Sequence, residues 1–302
     1  MFVDSLTHAL TAAILACVFN LPQLLPFIVL GAVIIDADIL FARISDGHPS
    51  LYLFTHGGFT HSIAGAVVQS VIAWTVAAFL QAAGFVHPVL PVPSAPVAFA
   101  AVLTGALLHI FFDTLATPGL PLLAPFSDRK YTAGFLPGPS ILLLASSLFF
   151  VIWIGLGVID LPSMIFPYAA VIAAFFAVRL VAFCIARTAL HGTGRAIPTI
   201  NPLRWLVIGE TSGAWVVGEY RIGKGTGDTE NLMKYRSTTA GETAPFLTLP
   251  EVRRLRFHSS SMTAEKAGDE IVFSDPLRES GRIFYPQHYT RVRVHLPDPS
   301  GL

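Results

Sequence analysis

The run His56-Gly57-Gly58-Phe59-Thr60-His61-Ser62 carries two imidazoles close together, and His109 stands four residues before Asp113. At that second spacing both side chains fall on one helix face, where an imidazole nitrogen and a carboxylate oxygen can ligate one ion or flank two. His8, near the N-terminus, and the pair in Ile35-Asp36-Ala37-Asp38-Ile39 add the same two ligand types. Nitrogen and oxygen donors together suit zinc or another first-row divalent ion, manganese and iron included. His8, Asp36, Asp38, His56, His61, His109 and Asp113 exceed one tetrahedral sphere, so one or two ions can be held. Such an ion is a Lewis acid that activates water and steadies a phosphoester under attack, which makes hydrolysis the expected chemistry. Of Asp36 and Asp38, one can bind the metal while the other serves as catalytic base or orients a ligand; their spacing does not separate the roles.

Those residues are spread over more than one hundred positions, so the fold must gather them. Of the 302 residues 53% are hydrophobic and 13% charged, and the mean hydropathy is +0.64, a composition for a bilayer. Zero formal net charge gives no broadly basic surface, and no nucleic-acid partner is expected. Residues 1–186 hold 11 of the 38 Lys, Arg, Asp and Glu side chains, whereas 187–302 hold 27. We therefore expect a membrane domain over 1–186 and a soluble domain over 187–302. Apolar stretches near 6–19, 24–41, 63–86, 96–112, 140–159 and 163–186 predict an all-α polytopic bundle of about six membrane segments. The third, fifth and sixth reach the roughly 20 residues that cross a bilayer, while the first two are short enough to be half-inserted.

Parity then does the gathering. His8 opens the first segment, Asp36 and Asp38 close the second, His56 and His61 open the third, and His109 with Asp113 closes the fourth. A start, an end, a start and an end all lie on one face of the membrane. Arg43, Arg129, Lys130 and Arg187 lie on that same side, and the opposite connections carry no Lys or Arg. The positive-inside bias makes that face cytoplasmic, together with the N-terminus and the C-terminal domain. Polar side chains beside apolar segments are costly unless they meet an ion, a cavity or a partner. His48 and His87, standing alone, read as ordinary interfacial residues. Arg179 is expected to reach the interface along its aliphatic stem, and Asp4 to orient His8. Thr7, Thr60 and Ser62 are expected to place hydroxyls beside the ligands or to cap helices. Arg129 and Lys130, in the 113–139 loop, can meet a phosphate or an anionic headgroup.

After Arg187 the pattern changes. Runs at 203–210 and 214–222 predict a hairpin, 223–227 a Gly-rich turn, 250–258 a short helix, and 270–274 and 289–296 strands. The expectation is a small cytoplasmic α+β or mostly β domain, whose protein partner the sequence does not name. Cys17 and Cys184 lie in apolar runs, so no disulfide framework organises the chain. With no Lys or Arg before Arg43, no secretory signal is expected.

Thr7-His8, Asp36-Ala37-Asp38, the His56 to Ser62 run, and His109-Ile110-Phe111-Phe112-Asp113-Thr114 with Gly119 and Pro125-Phe126 carry a resemblance. Over about residues 1–190 the chain resembles the YdjM-type family of inner-membrane metal-dependent hydrolases, departing from its motifs at Ile35 and Gly57. The resemblance implies a multi-pass inner-membrane protein that hydrolyses a substrate with a metal ion. One group of the family is named for binding the repressor LexA, a partner we do not carry over. The His and Asp arrangement is also similar to that of zinc-dependent phospholipases C and single-strand nucleases, which implies a phosphoester, above all a lipid one. Two other readings compete. A transporter could move metal ions or protons with the same side chains, which in transporters usually sit near the bilayer midplane. A noncatalytic membrane anchor would instead offer its C-terminal domain to a protein.

Overall fold

The computed structural model describes residues 4–86, 93–138, 140–190, 194–283 and 289–296, so His87 lies outside the described residues. The N-terminal region is helical. α1 spans Ser5–Val18 and α2 Leu25–Ile34; a 3-10 run over Ile35–Leu40 leads on to α3, Ala42–Gly47. Then come α4 (Ile63–Ala82), α5 (Ala95–Thr114), α6 (Ile141–Gly155) and α7 (Leu161–Ala189). Among the described residues, four stretches are long and apolar enough to cross a membrane: Leu25–Gly47, Ile63–Ala82, Ala95–Thr114 and Leu161–Ala189. α1 and α6 are shorter apolar helices of 14 and 15 residues. α6 therefore falls short of the full segment expected over 140–159, because the chain turns through Leu156 into Gly157, whose φ is 68°. The second segment, expected to be short, instead lies within a 23-residue stretch because the 3-10 run continues the helical path.

Small residues decide how closely these helices approach. A Cβ on Gly31 of α2 would sit 1.8 Å from the Val102 carbonyl oxygen, and one on Gly105 of α5 would sit 1.9 Å from that of Ile28. Ala12, Ala16, Ala32 and Ala101 line the same seam with Ile28. Lipid tails are as apolar as these side chains, so helix association in a bilayer depends on close packing of this kind. α1, α6 and α7 meet through Leu10, Phe150, Met164 and Tyr168. A buried run of hydroxyls, Thr7 to Ser147 at 2.7 Å and Ser147 to Tyr168 at 2.6 Å, crosses that junction. Arg179, expected at the interface, is buried instead, with its guanidinium 5.7 Å from the Phe175 ring.

The chain forms two compact units, residues 1–43 with 53–180, and residues 44–52 with 181–302. The second is rich in sheet. β1 (Arg195–Pro198), β2 (Arg204–Glu210), β3 (Ala214–Arg221) and β4 (Gly225–Met233) form one antiparallel sheet in that order. β5 (Tyr235–Arg236), β6 (Thr263–Ala267), β7 (Glu270–Ser274) and β8 (Arg291–His295) form another, with β5 parallel to β6 and the other pairs antiparallel. β2 is buried on both faces: Trp205 and Val207 pack on Ala182 and Ala186 at the end of α7, while Leu206 and Ile208 pack on Val217 and Leu277. Three short helices complete the unit, α8 (Ala240–Thr243), α9 (Pro250–His258) and α10 (Pro276–Glu279). α9 lays Val252 and Leu255 against Ile271 and Phe273 of β7.

Candidate metal centre

The seven candidate ligands come from four stretches of chain: α1, the 3-10 run, the His56 to Ser62 run and α5. Asp4 caps α1 by accepting from the Thr7 amide at 2.8 Å and the Thr7 hydroxyl at 2.7 Å. Both its oxygens are engaged there, so Asp4 does not orient His8 as expected; Asp113 does. The 3-10 run after α2 winds three residues per turn and buries Asp36 and Asp38. Gly58 lets the His56 to Ser62 run fold back on itself, since a Cβ there would meet the Leu53 carbonyl oxygen at 2.0 Å. Ser62 accepts from the Gly65 amide at 2.9 Å and so serves as the cap of α4. His109 and Asp113, one turn apart near the end of α5, are both buried.

Four of the donor atoms face one another. His61 Nε2 lies 3.6 Å from Asp36 Oδ1 and 3.7 Å from Asp113 Oδ2, and His109 Nε2 lies 3.5 Å from each of the same two oxygens. These distances are long for hydrogen bonds, and neither nitrogen has a hydrogen-bond partner among the described residues. Four ligands sharing a tetrahedral ion at about 2.0–2.2 Å stand roughly 3.3–3.6 Å apart. Burying an imidazole nitrogen without a partner costs free energy that a cation would recover. The residues present therefore fit a bound divalent ion. Three overlapping groups can hold one: His8, His109 and Asp113; Asp36, His61 and His109; Asp38, His56 and His61. The structure thus brings together all seven residues singled out in the sequence.

Neighbouring contacts determine which atoms point inward. His109 donates from Nδ1 to the Ala32 carbonyl at 2.6 Å, which leaves the lone pair on Nε2. His61 Nδ1 lies 3.1 Å from Asp38 Oδ2, so its Nε2 is likewise turned inward. Asp38 also meets His56 Nδ1 at 2.6 Å and accepts from the Thr60 hydroxyl. Three groups thus engage its carboxylate. Asp36 is placed differently: Oδ1 faces both inward nitrogens, and Oδ2 accepts from the Ser5 hydroxyl. Ser5 was not among the residues picked out from the sequence, and its position three residues before His8 is the one signal it offered. His8 meets Asp113 Oδ1 at 3.2 Å through Nε2 and stacks on His109 with ring centroids 3.7 Å apart. Of the expected hydroxyls, Thr60 reaches Asp38, while Thr7 turns to Asp4 and Ser147. In the 113–139 loop, Leu120 and Tyr131 exchange backbone hydrogen bonds, Arg129 lies 5.5 Å from the Tyr131 ring centre, and Phe126 is 93% exposed.

The family model described as YdjM inner membrane protein matches residues 3–189, a stretch that contains all seven candidate ligands. The chain belongs to that family. No curated protein and no solved structure matches it. As a YdjM inner membrane protein with four helices among its described residues long and apolar enough to cross, it is a membrane protein whose buried His and Asp groups could hold a metal ion.

Proposed function

We propose that this YdjM-family protein is a membrane-embedded hydrolase dependent on a divalent metal, zinc first, that acts on a phosphoester or lipid-linked substrate at the cytoplasmic face. The observation that carries this reading is the buried set of Asp36, His61, His109 and Asp113, where two imidazole nitrogens aim at two carboxylates and make no hydrogen bond among the described residues. A divalent ion in that donor set supplies Lewis acidity to the ester and to the attacking water. The protein's own groups do the positioning. Asp38 and the Ala32 carbonyl set the His61 and His109 rings, His8 steadies Asp113, and Ser5 steadies Asp36. His56 is half-buried, held at Nδ1 by Asp38 and, among the described residues, without a hydrogen-bond partner at Nε2. That arrangement suits it to take a proton at Nε2 as the nucleophile forms.

α1 and α6 would complete six membrane segments with the four long ones, with the N-terminus and the C-terminal domain on the side of Arg43, Arg129, Lys130 and Arg187. The donors lie at helix ends and in the His56 to His61 loop, which favours an interfacial reaction over transport through the midplane. Purified protein loaded with zinc is expected to hydrolyse a phosphodiester, with activity lost on chelation and regained on adding zinc. Zinc flux in proteoliposomes without hydrolysis of any ester would turn the reading to a transporter.

His56→Ala separates proton transfer from metal binding. Turnover is expected to fall by about 10²–10⁴-fold with bound zinc unchanged; a fall in zinc content would make His56 a ligand. Asp36 and Asp38 should differ too. Asp38→Asn is expected to weaken zinc by about 10- to 100-fold through loss of ligand orientation, and Asp36→Asn, which removes a facing oxygen's charge, by more. Equilibrium dialysis measures both, and the reverse order would exchange the two roles.

A further inference from the structure

Residues 44–52 belong to the same compact unit as the C-terminal domain, although in sequence they run between Asp38 and His56. α9 holds this connector near both ends. Arg254 donates to the Asp46 carbonyl at 3.0 Å and lies 4.0 Å from the centre of the Tyr289 ring, whose hydroxyl donates to the Asp46 carboxylate. Burial, and then Asp46, push the Tyr289 phenol above its ordinary value, which keeps it a donor. His258 stacks on Tyr289, with ring centroids 5.4 Å apart. At the far end of the connector, Arg253 donates to the Tyr52 hydroxyl at 2.7 Å and lies 5.2 Å from its ring centre. The same Tyr52 ring is buried and meets Phe257 edge-on at 5.4 Å.

The connector is the length of chain that joins Asp36 and Asp38 to His56 and His61. A free connector would lose conformational entropy whenever the two halves of the centre closed on an ion, whereas a connector already fixed near both ends has lost it beforehand. We propose that the C-terminal domain acts as a positioning device for the metal centre, with Arg253 and Arg254 as the positioning residues that hold the 44–52 connector. This inference rests on the metal reading of the centre. It assigns the soluble domain a task that requires no chemistry of its own.

The test uses the full-length protein in detergent with zinc as the probe. In Arg253→Gln/Arg254→Gln protein, amide exchange over 44–52 is expected to quicken, and zinc affinity to fall by about 10- to 100-fold, with exchange in β2, β3 and β7 unchanged. Arg254→Lys in the otherwise native chain keeps a donor for the Asp46 carbonyl and retains most of the affinity. Tyr52→Phe removes the hydroxyl that Arg253 meets, and moves both readouts the same way even if the double variant folds poorly. Arg236→Gln, at an exposed ion pair on β5, changes neither. Quicker exchange with unchanged zinc affinity, or no change in exchange, overturns the positioning role alone. A wild-type chain that takes up no zinc overturns the metal reading, and this proposal with it.

Discussion

His109→Ala protein is expected to bind zinc at least about 100-fold more weakly than the wild type and to lose metal-dependent hydrolysis. His109 belongs to two of the three groups that can hold an ion. Its Nε2 faces Asp36 and Asp113 at 3.5 Å each, and the bond from Nδ1 to the Ala32 carbonyl fixes the ring in that direction. Partners that merely orient a ligand are worth about 10- to 100-fold in metal affinity, so deleting a ligand should exceed the upper end of that range. The loss also leaves Asp36 and Asp113 facing each other with one imidazole fewer between them. Zinc content after dialysis against a competing chelator gives the number. A variant that keeps its zinc and its activity would remove His109 from the centre.

A second large effect is expected far from any ligand. Gly31→Val should destabilise the membrane unit by about 3 kcal/mol or more, above the usual range for overpacking. The new Cβ would sit 1.8 Å from a backbone carbonyl oxygen of α5, and backbone cannot turn aside as a flexible side chain does. Separating α2 from α5 also separates Ala32 from His109 and the Asp36 run from Asp113. Zinc affinity should therefore fall together with thermal stability, although Gly31 is not itself a candidate ligand. Thermal unfolding in detergent, followed beside zinc binding, reads both. Normal stability in Gly31→Val would mean that the two helices do not pack at this glycine.

The candidate ligands were legible because parity requires only the order of segment ends and the residue types found there. It needs no knowledge of packing. Which of Asp36 and Asp38 faces the ion was not legible, because 3-10 winding turns residues two apart by about 240° around the axis, and His56, His61 and Thr60 then engage Asp38. Ser5 approaches Asp36 across 31 positions of sequence, and neither periodicity nor motif marks such a pair. In the C-terminal sheet-rich domain, β2, β3 and β7 could be read because they bury apolar residues. β4, Gly225–Met233, is exposed along nearly all its length and has no apolar alternation to read. β6 is short and largely polar, and β1 has only four residues and ends on Pro198, so neither offers a strand pattern to read. The 44–52 connector was assigned to the membrane half by its place in sequence, and nothing in its composition marks Tyr52 and Asp46 as partners of arginines two hundred residues away.

Anomalous X-ray scattering at the zinc edge, from crystals of zinc-loaded protein, tests the central claim most directly. The expected result is a strong peak about 2.0–2.2 Å from the Nε2 atoms of His61 and His109 and from oxygens of Asp36 and Asp113. Fully occupied zinc elsewhere in the molecule, with no peak among those four residues, would contradict it.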